Sequence, residues 1–270
     1  MKNLIYFLFG VMLLIVACKK DKEDNSSGNG NNQPQAVQLD SFPLSIGHSW
    51  KYFTETHIID SAGINWSNNY YDNFWNIVSD TAINGIVCAK ISQLDSNYNG
   101  STHLAYTYYT NKPDGFYGFA VENSGGLFHL RTSEPRAQTQ FNLLRSFGNK
   151  YLGVDTVFVP DTSLRFLKFP SNINDIWLSY EYNNPVPDII KRKWIGYSTV
   201  TTSAGTFNCV KLQMFWDYDN NNLPDSGYSE IYQYFSTKGL IQEEWNQALN
   251  FGGGQIDSLH RITKLVQVNF

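Results

Sequence analysis

The chain has 270 residues, with 20 basic and 24 acidic side chains, five histidines and a net charge of −4. No basic patch or stripe stands out, so the electrostatic footprint of a nucleic-acid binder is missing. Aromatic and charged residues each make up 16 % of the chain, a balance that argues against a disordered polyelectrolyte and for a folded, sheet-rich protein.

At the amino terminus Lys2 precedes an apolar run, Leu4 to Val16, and Ile15-Val16-Ala17-Cys18 closes that run with a small residue before a cysteine. The run is shorter than the roughly 20 apolar residues that span a bilayer as a helix. The segment resembles bacterial lipoprotein signal peptides, with Ile15 in place of the usual Leu. The resemblance implies cleavage after Ala17 and lipidation of Cys18, so the membrane is a partner through a lipid anchor. Several acyl chains, each adding about 0.8 kcal/mol per buried methylene, hold such a protein stably. Residues 1–17 are then the signal peptide and 18–41 the lipidated Cys and tether. Lys19 to Gln35 (KKDKEDNSSGNGNNQPQ) holds no side chain able to seed a core, and a chain of that composition is flexible, with a reach of about 20 to 25 Å. Its charged start, Lys19 to Asp24, resembles the export signal of surface-displayed Bacteroidetes-type lipoproteins; a solvated charge cluster accounts for the same residues. The expected location is the outer membrane, on its periplasmic face or at the cell surface.

Beyond the tether, four blocks recur in the same order. Phe42-Pro43-x-x-Ile46-x-x-x-Trp50 matches Phe169-Pro170-x-x-Ile173-x-x-x-Trp177, and Trp75 is paired with Trp194. Gly85 and Cys88-Ala89-Lys90-Ile91 match Gly205 and Cys209-Val210-Lys211-Leu212, and Tyr106-x-Tyr108-Tyr109 matches Tyr232-x-Tyr234-Phe235. A tandem duplication is the expectation, with a first β unit over 42–160 and a second over 161–270. Each unit reads as strands: aromatic and β-branched runs begin at Trp50 and Trp177, and Asn84-Gly85 is a strong hairpin-turn signal. A short helix is expected near 137–147. The fold class expected is all-β, with antiparallel sheets built from two related units, half-barrel or sandwich-like, and few short helices.

Three groups of residues carry candidate chemistry. Asp217, Asp219, Asn221 and Asp225 have the early spacing of a Ca²⁺ loop, but Tyr228 stands at the twelfth position where an EF-hand has Glu. A turn rich in Asp and Asn accounts for the same residues. Trp66, Tyr70, Tyr71 and Trp75 lie in a stretch with Asn and Asp, a mixture suited to a glycan; packing of aromatics across a sheet explains them as well. Cys88 and Cys209 form either a disulfide or two buried apolar thiols. In strand geometry Cys209 and Lys211 share one face, and Val210 and Leu212 the other.

No Gly-x-Ser-x-Gly, phosphate loop, Rossmann fingerprint or zinc spacing is present, and His48, His57, His103, His129 and His260 are isolated in sequence. No enzyme activity and no cofactor other than Ca²⁺ is therefore expected. FPLSIGHSW, GTFNCVK and YFSTKGLI together resemble uncharacterised Bacteroidetes-type cell-envelope lipoproteins. That resemblance implies a fold similar to the half-barrels of lipid carriers, and a structural or scaffold role with glycan or lipid binding as the alternative.

Overall fold

The computed structural model describes residues 35–59, 63, 65–83, 85–96, 102–122, 157–158, 164–183, 187–225, 229–250 and 256–270. Cys18, most of the tether and the short helix expected near 137–147 lie outside the described residues. Pro34–Phe270 forms one compact unit, and strands of both sequence units pair in one sheet.

Thirteen strands follow in chain order: β1 (Ser49–Ile59), β2 (Asn65–Ile83), β3 (Ile86–Ser96), β4 (Thr102–Lys112), β5 (Gly115–Glu122), β6 (Val157–Phe158), β7 (Leu164–Lys168), β8 (Ile176–Asn183), β9 (Pro187–Thr202), β10 (Gly205–Trp216), β11 (Glu230–Ser236), β12 (Gly239–Asn250) and β13 (Ile256–Asn269). Every pairing is antiparallel, in the order β6-β5-β4-β3-β2-β1-β13-β12-β11-β10-β9-β8, with β7 also paired to β5. The all-β expectation holds, and no helix occurs among the described residues.

The sheet curls into a nearly closed barrel. At the seam between β7 and β8, side chains replace a backbone ladder. The carbonyl oxygen of Arg165 accepts hydrogen bonds from Trp177 Nε1 at 3.3 Å, Ser179 Oγ at 2.9 Å and Arg192 Nη1 at 3.1 Å. Along β1, Trp50, Tyr52, Thr54 and Thr56 are buried and the residues between them half-buried, the period-two signature of a wall with an inner and an outer face. Ile77, Ile91, Leu212, Met214, Ile231, Trp245 and Leu265 line the same interior.

The two halves of this wall share their hydrogen-bond register. Lys90 lies opposite Tyr108, and Lys211 opposite Tyr234. The β4–β5 pairing has a bulge between Tyr108 and Tyr109, and the β11–β12 pairing has one between Tyr234 and Phe235. Ahead of β1, Gly47 N donates to Ile77 O and Ile77 N to His48 O; ahead of β8, Asn174 N donates to Trp194 O and Trp194 N to Asp175 O. Gly47 and Asn174 both have positive φ, at 88° and 73°, a conformation Gly and Asn tolerate best. These bonds correct one pairing read from the sequence. Trp194 occupies the place of Ile77, while Trp75, opposite Trp50, corresponds to Arg192, opposite Trp177. The matched tryptophans misled because each half of the wall uses aromatic residues at several inward positions.

The barrel has two unlike ends. At one, four hairpins close in two-residue turns, with Ile83 paired to Ile86, Lys112 to Gly115, Thr202 to Gly205 and Ser236 to Gly239. Gly85, in the first of these turns, has φ +78°, as the Asn84-Gly85 signal requires. Residues 35–48 cross this turn end, burying Leu39 and Phe42. Phe42 stacks on Phe116 at 4.3 Å, donates its N–H to Asn111 Oδ1 and accepts at its carbonyl from Asn111 Nδ2. Gly239 is obligatory here: at φ +97°, a Cβ would stand 3.0 Å from both Phe42 Cζ and Trp50 Nε1. β1, β3, β8, β10 and β12 run from this end to the opposite, loop end, where the strands that follow them, β2, β4, β9, β11 and β13, begin.

Candidate functional site

The loop after β10 is organised around an ammonium. Lys191, from β9, places Nζ 2.6 Å from Asp217 Oδ2, 2.5 Å from Asn220 Oδ1 and 2.7 Å from Asn222 Oδ1. The side chains of Lys191 and Asp217 are almost wholly buried. Asp217 also accepts the N–H groups of Asn221 and Asn222. Burial pushes its carboxyl up, but the bonds from Lys191 and the two amides outweigh that and hold it below its usual value.

The other residues of the expected Ca²⁺ loop are also engaged. Asp219 accepts from Asn221 N and Nδ2, Asn221 Oδ1 accepts from Leu223 N, and Asp225 Oδ2 accepts from Tyr218 N at 2.6 Å. Asn220 and Asn222 both have positive φ, as Asn permits in tight turns. Lys191 thus stands where the spacing alone suggested a metal. It lies 26 residues before Asp217, and a local motif holds no sign of it.

The aromatic stretch lies on β2. Tyr70 lies opposite Glu55 and Tyr71 opposite Thr54. Trp66 sits at a bulge opposite Ile58 and Ile59. Trp75 turns inward and meets the Tyr52 ring edge-on at 5.1 Å.

Cys88 and Cys209 are free and buried. Burial raises the Cys88 thiol to about 11 and the Cys209 thiol to about 12, so both are protonated near neutrality and unsuited to nucleophilic work. Each bonds the carbonyl two residues back, of Ile86 and of Phe207. The neighbouring lysines make matching clamps. Lys90 Nζ lies 4.1 Å from the Tyr106 ring centroid and 5.6 Å from that of Tyr108; Lys211 Nζ lies 4.5 Å from Tyr232 and 5.3 Å from Tyr234. Cation–π contact explains the retained Lys and Tyr-x-Tyr pattern as structure. Two of the histidines are also occupied: His48 Nδ1 meets the Pro43 carbonyl and its ring packs on Phe270, and His260 Nδ1 meets Asn246 Oδ1.

A polar layer inside the barrel escaped the sequence reading. Thr54, Thr263, Glu243 and Gln233 are successive cross-strand partners, as are Thr56, Arg261, Trp245, Ile231, Met214 and Arg192. Gln233 Nε2 donates to Glu243 Oε2 at 2.6 Å. Burial raises the Glu243 carboxyl despite that bond and the positive fields of Arg261 and Arg192. Arg192, 1 % exposed, lies with its guanidinium 5.0 Å from the Phe166 ring centroid, and burial lowers its pKa to about 9. Across the interior, Gln93 Nε2 donates to Thr107 Oγ1 at 2.9 Å. Charged residues at inward strand positions, such as Glu243 two before Trp245, were the available signal.

No family model matches the chain, and no curated protein does. Two crystal structures are similar to it: a protein from Parabacteroides distasonis classed as a lipoprotein, and one from Bacteroides fragilis classed as exported, with a YmcC-like fold. Each is 13 % identical with a TM-score of 0.40, and the alignment covers 87 % of this chain and 100 % of the other.

Proposed function

We propose that the chain is a lipid-anchored cell-envelope protein of the outer membrane, and that its barrel is a non-catalytic binding module presented by the loop end. The observation that carries this reading is the polarity of the barrel. The chain enters the wall at the turn end through residues 35–48, whereas the ordered loop 217–225 that follows β10 lies at the other end. Loops held on a rigid scaffold are where proteins concentrate recognition. The loop end is taken as the presented one because the described chain begins, at residue 35, on the turn-end side of the wall. The matched registers support descent of the two halves from one duplicated unit. Glycan or lipid is the ligand class expected, with an envelope protein as the other partner class; the Asp217–Asp225 loop belongs to the presented end, built on Lys191 and without Ca²⁺.

Cysteine labelling of the full chain in cells tests this orientation. Leu223 and Ile46 are 62 % and 60 % exposed, one at the loop end and one at the turn end. The native thiols of Cys88 and Cys209 are buried and supply little background. Leu223→Cys should react with a bulky maleimide several-fold faster than Ile46→Cys, and the difference should disappear when Cys18→Ala removes the anchor. Equal rates in the anchored protein would defeat the proposal.

A further inference from the structure

The inward-facing polar atoms are unevenly satisfied. Among the buried side-chain atoms with no hydrogen-bond partner are Arg261 Nε, Trp245 Nε1, Arg192 Nε, Gln93 Oε1 and Gln233 Oε1. Buried polar groups are nearly always paired, and leaving one unpaired costs about 1–3 kcal/mol. Two of the donors belong together: Arg261 and Trp245 are directly opposed on β13 and β12, with the guanidinium carbon 4.5 Å from the indole centroid. The ring covers one flat face of the guanidinium. What remains are the Nε–H of Arg261 and the indole N–H of Trp245, two buried donors with no acceptor on directly opposed residues. Trp245 is fully buried and Arg261 partly exposed, so Arg261 is the member a ligand reaches first.

We propose that Arg261 and Trp245 bind the carboxylate of a ligand entering the barrel from the loop end. This inference rests on the binding-module reading and gives it a ligand chemistry. A carboxylate presents two in-plane oxygens, which suits a guanidinium edge. A carboxylate's single negative charge matches the one guanidinium of Arg261, and Glu243, on the adjacent rung, opposes the added charge of a dianion such as phosphate more strongly. Arg192, the other guanidinium on this rung, is committed to the seam, through Arg165 O and Met214 Sδ. Two sources share this chemistry, a uronic acid of a glycan and a fatty acid.

Equilibrium dialysis of the full chain in nanodiscs tests the assignment with glucuronate and hexanoate, and with glucose and hexanol as neutral counterparts. One of the two acids should bind at least 10-fold more tightly than its neutral counterpart, and which one it is identifies the source. Arg261→Gln should weaken that binding at least 10-fold. Trp245→Phe, which keeps a ring and removes the N–H, should weaken it several-fold and serves should Arg261→Gln fail to fold. Equal binding of acid and neutral counterpart would overturn the carboxylate site and leave a binding module standing. Binding of none of the four would mean that water alone fills the polar layer, which also overturns the site; the cysteine-labelling result stands or falls separately.

Discussion

The first and second halves of the barrel wall carry the same registers and bulges but different interiors. Where the first half places Trp75 and Thr107, the second places Arg192 and Gln233 at matching ladder positions. The outward Lys and Tyr-x-Tyr clamps are alike in both. Backbone pairing constrains register because a one-residue slip would turn every inward side chain outward. It leaves the identity of each inward side chain free, provided that its volume and polarity are compensated. The difference teaches that the wall is the shared part and the buried ions of the second half are the specialised part.

The largest expected effects test whether the two opening tryptophans are equivalent. Trp50→Ala and Trp177→Ala should each cost about 3–5 kcal/mol in urea unfolding, as for other buried Trp truncations. Conversion to Phe should separate them. Trp50 Nε1 donates to Lys238 O at 2.6 Å, whereas Arg165 O keeps two other donors when Trp177 is replaced. Trp50→Phe should therefore be the more damaging by about 1 kcal/mol; equal losses would mean that the seam depends on Trp177 as much as the turn end does on Trp50.

Next in size is the ammonium-centred loop, a feature of the second half. Asp217→Asn leaves Lys191 buried without its counter-charge and should cost about 3 kcal/mol at pH 7. Because the native pKa of Asp217 is depressed, its contribution is fully present above the unfolded carboxyl value and is lost as pH falls through the native one. The gap between wild type and Asp217→Asn should accordingly close in acid, as followed by thermal melts. A pH-independent gap would mean that the carboxylate charge is not what holds the loop.

The smallest effects sharpen the likeness between the halves. Lys90→Ala and Lys211→Ala should each destabilise by about 0.5–1 kcal/mol, the range for partly exposed cation–π contacts. A loss at one site only would show that the matched geometry conceals unequal environments, Tyr234 being buried beside Glu244 and Cys209.

Local patterns determined the strand class, the Asn84-Gly85 hairpin, the aromatic openings of β1 and β8, and the alternation that separates Cys209 and Lys211 from Val210 and Leu212. These depend on neighbours within a few residues, where period and turn chemistry are written directly in the chain. Tertiary structure alone decided that β1 pairs with β13, that side chains close the seam at Arg165, and that Lys191 fills the centre of the Asp217 loop. It also decided that Glu243, Arg192 and Arg261 share one interior. The physical reason is the same in each case: these partners come from different strands, and only lateral pairing of the sheet gives them a common place.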